Sequence, residues 1–246
     1  MRNFSNNLSK TVELIFNKME KYAILRNHLL YLKNLGIEEL PKTPSIEKLL
    51  SEIKKSKKIF LSEEALKEEV LNCTSCPLSQ TRKTAIFGEG KLSAKIMGIL
   101  DYPRRDEELQ GLVLTGSHRT MFQRLLQTLV SNLEEVFLTH SVKCRPYNDR
   151  PPEDEEILAC KEHLVKQIQT IKPKIILCFG STPIKSFLGT EKKITLNEAR
   201  KTTFNFDGIP VFFTFHPEDM IKNPQARRLI WEDLQRVKEW LKRESS

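Results

Sequence analysis

The chain reads as an α/β protein whose parallel sheet is covered by helices on both faces, preceded by a helical extension. Three observations carry this. Beyond about residue 73, four short, nearly continuous apolar runs alternate with helix-length segments, the pattern of strands buried on both faces. The first 70 residues differ in texture, with a single glycine (Gly36) and many Lys, Glu and Leu residues. Finally, 246 residues that are 39% hydrophobic and 29% charged supply apolar material for one sizeable domain and an extension.

In chain order, Val12, Ile15, Met19, Tyr22, Leu29 and Leu32 recur at three- and four-residue steps, which predicts an amphipathic helix ending near Gly36. Pro41 and Pro44 open a second helical segment over 45–57, with a lysine run at Lys54–Lys58. Ser62 is placed to cap a third helix over Glu63–Asn72, with Glu63 and Glu64 at its positive end. Residues 1–70 are therefore assigned to a helical N-terminal extension that packs on the body or on a protein partner, and 71–246 to the α/β domain. The strands are expected at Lys95–Leu100 (KIMGIL), Val136–Lys143 (VFLTHSVK), Lys174–Gly180 (KIILCFG) and Pro210–Phe215 (PVFFTF). Helices are expected near 117–131, 154–171, 181–188 and 226–242. In such folds ligands gather outside the carboxyl ends of the strands. Three of the four ends carry polar, chemically capable residues: the loop after Leu100, the stretch His140–Arg145, and His216-Pro217.

Composition narrows the class. No run approaches the roughly 20 apolar residues of a membrane span, and the start MRNFSNNLSK lacks the apolar core of a secretory signal. The expectation is a cytoplasmic protein with no membrane role, nucleoid-associated if bacterial. A net charge of +8 suits a polyanion partner such as nucleic acid, and a solvated lysine-rich surface gives the same number.

Five cysteines in such a chain point to metal or redox chemistry rather than disulfides. Cys73 and Cys76 form a CxxC, so one turn can bring two sulfurs to one centre. Cys144 and Cys160 complete a C-x2-C-x67-C-x15-C pattern. Four thiolates suit a tetrahedral zinc or an iron–sulfur cluster. The second pair is too wide for a zinc knuckle, and a cubane cluster tolerates separated ligands, so spacing favours 4Fe–4S. Cys178 sits inside KIILCFG and reads as a core residue.

Taken in order, CTSCPL (Cys73–Leu78), RKTAIFGEG (Arg82–Gly90), VKCRPYNDRPPEDEEILAC (ending at Cys160), IKPKIILCFG (Ile171–Gly180) and HPEDMIKNP (His216–Pro224) resemble the motifs of the family 4, iron–sulfur uracil-DNA glycosylases. The resemblance spans about 73–242. It implies a three-layer α/β/α sandwich around a four-stranded parallel sheet, and a 4Fe–4S cluster on Cys73, Cys76, Cys144 and Cys160. It also implies hydrolysis of the N-glycosidic bond of uracil or another deaminated base in single- or double-stranded DNA, as in base excision repair. His216 matches the family's donor to the leaving base.

The sequence departs from the family at the base pocket. Where the family's first strand ends in GEAPG, this chain has Gly98-Ile99-Leu100-Asp101-Tyr102-Pro103, so Ile99 stands in the glutamate's place and Asp101 is the substitute base. Where GRPFVG supplies a stacking phenylalanine, GLVLTG puts Leu114. Where an asparagine reads uracil's edge, this chain has His140, whose donor and acceptor are differently spaced. For DNA, Arg145 and Arg150 flank the Cys144 loop, Ile221 and Lys222 form an apolar wedge followed by a cation, and Arg227 continues the basic track. The leading expectation is a DNA glycosylase. The competing one is a catalytically degenerate DNA-binding or damage-sensing protein on the same scaffold, and the third a zinc-stabilised nucleotide-binding protein.

Overall fold

The computed structural model describes residues 62–244. The helices expected over 12–36 and 45–57 lie outside these residues. The chain divides into two units between Ile59 and Phe60. The helix Glu63–Leu71 (α1) buries Leu66 and Val70 in the core of the α/β body, and Ser62 caps it by accepting the Ala65 N–H. A short helix, Leu78–Thr81 (α2), follows the CxxC turn.

The sheet has five strands: β1 (Ile96–Leu100), β2 (Val136–His140), β3 (Ile175–Phe179), β4 (Phe204–Phe206) and β5 (Ile209–Thr214), in the order β2-β1-β3-β5-β4. The four expected strands are all present and mutually parallel. The addition is β4, a three-residue antiparallel edge strand on β5. Its brevity hid it: Phe204-Asn205-Phe206 is too short to show a periodic pattern, and its two rings pack beside Phe187 and Phe213.

Between the strands lie α3 (Arg105–Gln110), α4 (Gly116–Leu126), α5 (Asp154–Ile171), α6 (Thr182–Leu188) and α7 (Leu196–Ala199); α8 (Asp219–Lys222) and α9 (Pro224–Arg243) follow β5. Strand alternation divides the interior into two cores. Met97, Ile99, Ile176, Cys178, Val211 and Phe213 face α1, α5 and α6, whereas Ile96, Leu100, Ile175, Leu177 and Phe212 face α4 and α9. This is the three-layer arrangement, with the expected β3 thiol Cys178 fully buried in it.

Before β1 the segment FGEG crosses the sheet edge, and Glu89 exchanges backbone hydrogen bonds with Leu138. A Cβ on Gly90 would stand 2.4 Å from the Val136 carbonyl oxygen, and its φ of +123° is open to glycine alone at this distance. Glu89 then takes both guanidinium nitrogens of Arg119 and the Val113 N–H, fastening the GLVLTG loop to the sheet. No helix among the described residues is long and apolar enough to cross a membrane.

Candidate active site

The register Leu100↔His140 and Phe179↔Thr214 puts the ends of all four parallel strands on one edge of the sheet. Asp101, the first residue beyond β1, is held there from below. Its Oδ1 accepts the Thr182 N–H at 2.7 Å, and a Cβ on Gly180 would meet its carboxylate at 2.1 Å. Glycine at 180 is therefore what lets this carboxylate sit against β3. Burial pushes the Asp101 carboxyl up to about 6, against the pull of the Thr182 hydrogen bonds and the Arg104 guanidinium, and nearby Asp219 adds to the rise. Asp101, expected as the substitute base because Ile99 stands in the glutamate's place, is a buried carboxylate with a raised pKa.

Ile99 and Gly98 are not at this edge. Ile99 is fully buried in the core facing α1, α5 and α6, paired with Thr139 and Cys178. Gly98 is mid-strand, where a Cβ would strike the Leu138 side chain at 2.6 Å. The assignment of both to a base pocket is corrected: strand ends carry the site, and β1 continues one residue past Ile99.

His216 follows β5 in a tight turn, mostly buried. The Glu218 N–H donates to His216 Nδ1 at 3.3 Å, and the His216 N–H donates to Asp219 Oδ2 at 3.1 Å. With Nδ1 an acceptor, a neutral imidazole carries its proton on Nε2. Asp101, Asp219 and His216 thus form one group.

His140 ends β2 but is buried, with Nε2 3.5 Å from Glu107 Oε2 and Nδ1 without a hydrogen-bond partner. Burial lowers its pKa, Glu107 opposing and Lys143 assisting, so the ring is held neutral. Leu114 is buried in the apolar core beside Leu100 rather than lining an open space. His140 and Leu114, the positions that the resemblance gives to the base, are both buried, His140 against Glu107.

Arg104 went unrecognised in the sequence. It stacks over Tyr102 at 4.4 Å, pairs with Glu218 at 3.6 Å and donates to the Asp149 carbonyl at 3.3 Å. One guanidinium so joins the Asp101, His216 and Cys144 loops. Nothing in RRDEE distinguishes it from its neighbour, because two of its three partners, Asp149 and Glu218, lie far away in sequence.

Arg145 and Arg150 were expected to face DNA, and both have internal partners. Arg145 pairs with Asp149 at 2.6 Å and Glu108 at 3.6 Å; Arg150 forms a two-pronged pair with Glu156 at 2.6 and 2.9 Å. These pairs brace the loop. Ile221 and Arg227 are exposed on α8 and α9, where a partner can reach them; Lys222 follows Ile221 in α8.

The cysteines gather on the other flank of the β2–α5 loop. Cys73, Cys76, Cys144 and Cys160 line one small cavity with Val70, Val142 and His163. All are free thiols, and no three His, Cys, Asp or Glu donors among the described residues converge closely enough for one ion. Thiols arranged around a space rather than a point suit a cluster's corners better than a tetrahedral zinc. Arg82 donates to Cys144 Sγ at 2.9 Å, and the Lys143 N–H to Cys160 Sγ at 3.2 Å. The buried Lys143 ammonium, anchored by Thr139, the His140 carbonyl and Gln167, stands beside them, burial pushing it down to about 7. Burial pushes the Cys160 thiol up to about 12, so ionisation there calls for a nearby positive centre. The donor set fits an anionic thiolate-bound group.

The match to known proteins agrees with this geometry. Residues 87–235 match the model of the uracil DNA glycosylase superfamily. The chain is 37% identical over 182 residues to a type-4 uracil-DNA glycosylase of Saccharolobus solfataricus, covering 71% of this chain and 84% of that protein. It is 33% identical over 184 residues to one of Thermotoga maritima (74% and 95%) and 35% identical over 183 residues to one of Sulfurisphaera tokodaii (72% and 83%).

Proposed function

Because the chain belongs to the uracil-DNA glycosylase superfamily, we propose that it hydrolyses the N-glycosidic bond of uracil in DNA, the first step of base excision repair. The observation that carries this is the strand-end pair: His216 with Nδ1 taken by a backbone N–H, and the buried carboxylate of Asp101. With Pro103 two residues beyond it, Asp101 answers to the glutamate of GEAPG better than Ile99 does. The target nucleotide leaves the stack, since its sugar carbon is unreachable inside a duplex. His216 donates its Nε2–H to the leaving uracil and stabilises the negative charge developing there. Asp101, ionised at neutral pH, orients the attacking water and faces the positive charge on the sugar. DNA is the partner, with Ile221 propping the vacated site and Lys222 and Arg227 meeting phosphates.

Cys73, Cys76, Cys144 and Cys160 hold the 4Fe–4S cluster in this reading. Bound there, it supplies a rigid cross-link between the CxxC turn and the β2–α5 loop, with no part in the bond cleavage.

The test is strand scission by alkali after incubation with uracil-containing oligonucleotides, single- and double-stranded. Abasic product is expected from the wild type, and His216→Ala should lower kcat by about 10²–10³. No abasic product, with binding intact, overturns the reading.

One observation favours a second: His140, at the position that the resemblance gives to the base-reading asparagine, lies 3.5 Å from Glu107. On that reading the pocket serves a different deaminated base, or the protein binds DNA without cleaving. The same assay with hypoxanthine and xanthine substrates separates them. Under the first reading His140→Asn raises uracil excision; under the second it leaves uracil untouched.

A further inference from the structure

A groove of about 610 Å³ lies between α4 and α9, with none of Asp101, His140 and His216 in its lining. Its lining includes Ser117, at the head of α4, Met220 of α8, Thr120, Arg124, Arg227 and Trp231. Trp231 is 49% exposed, a large apolar surface left to solvent. No acidic residue is among the described residues lining the groove, and neither Arg124 nor Arg227 has an ion pair with a described carboxylate. Arg228, facing elsewhere, is paired with Glu232.

An open aromatic face in one groove with two guanidinium groups that have no ion pair with a described carboxylate, beside hydroxyls, is the chemistry that holds single-stranded nucleic acid. The base stacks, the cations take the phosphates, and no sequence is read. The positive lining disfavours a basic peptide, and Met220 in the groove wall lies four residues after His216 in the chain. We propose that it holds a nucleotide of the strand flanking the excised base, stacked on Trp231, with its phosphates on Arg124 and Arg227. This rests on the DNA reading above and adds a directional requirement: flanking strand is needed on one side of the lesion.

The test uses single-stranded oligonucleotides with an abasic analogue in place of the uracil nucleotide, which are not turned over, and flanks lengthened on one side at a time. Affinity should step up by about 5- to 150-fold, the contribution of one stacked base, when one flank reaches the groove. W231A should bring the long-to-short affinity ratio close to one, and W231F should keep most of it. R124Q combined with R227Q should reduce the salt dependence of binding by about 1.4 in log–log slope. W240F leaves Trp231 the only tryptophan, and its emission should be quenched by long-flank oligonucleotides alone.

No step on either side, or a step that survives W231A without quenching, overturns the groove and leaves it to a protein partner. A step with quenching in a protein that excises no uracil keeps the groove and sinks the glycosylase reading. Excision without a step does the reverse.

Discussion

At Asp101, a single rotation of register decides the chemistry. The side chain before it, Leu100, and the one before that, Ile99, belong to opposite cores, and only Asp101 clears the strand. Its carboxyl, pushed up to about 6, titrates near neutrality. If it acts as the ionised base, kcat/KM on uracil DNA should rise with pH through about 6 and level off above, and Asp101→Asn should flatten that limb while lowering the rate. The same shift has a stability consequence of known sign. The unfolded chain releases this proton near the ordinary carboxylate value of about 4 and the folded one near 6, so folding binds protons in between. Stability from this group is full below about pH 4 and falls as pH rises to about 6. Asp101→Asn should therefore be more stable than wild type by about 1–3 kcal/mol near pH 8 and little different near pH 4, by urea denaturation. Ile99→Glu gives the converse check. A carboxylate placed in that core lacks any partner and should cost about 3 kcal/mol or more, or prevent folding. A stable, more active I99E protein would return Ile99 to the pocket.

At the scale of elements, the β2–α5 connection is built as a braced strut. It leaves β2 at His140, passes Cys144, and enters α5 through a capping box in which Glu153 accepts from the first turn and Glu156 accepts the Glu153 N–H. Arg150 adds its two-pronged pair to the same Glu156. Positively charged loop residues near a nucleic-acid site invite a phosphate assignment, and nothing in PPEDEE marks Glu156 as the carboxylate that Arg150 meets. Arg150→Ala should lower stability by about 1.5–3 kcal/mol, as expected for a charge-assisted pair. The salt dependence of DNA binding should be unchanged. A drop of roughly 0.7–0.9 in the log–log slope would mean that Arg150 neutralises a phosphate after all.

At the scale of the molecule, the CxxC turn after α1 and the β2–α5 loop are far apart in sequence and meet around the cysteine cavity. Cross-linking them by a cluster would fix the loop that ends beside the strand-end site. Cys160→Ala should lose bound iron and sulfide together with visible absorption, and lower Tm by several degrees. Stoichiometric zinc in a colourless wild-type protein would replace the cluster by the zinc alternative. Much of this architecture was legible beforehand. The helix read over 154–171 is observed as Asp154–Ile171, and Ser62 caps the helix it was expected to cap. Continuous apolar runs and capping residues are local signals, and each parallel strand announced itself by one. The β4 edge strand, too short for periodicity, did not.

What the sequence by itself determined was the α/β order, the four-cysteine spacing and the histidine after the last parallel strand, all set by residue type and interval along the chain. What only the tertiary structure decided was who faces whom. It put Asp101 rather than Ile99 at the site, gave Arg145 and Arg150 carboxylate partners within the protein, made Arg104 the link between three loops, and opened a groove beside Trp231. Strand periodicity says that a side chain alternates, but which end of the strand closes the sheet, and which distant carboxylate meets a given arginine, is set by packing between segments remote in sequence.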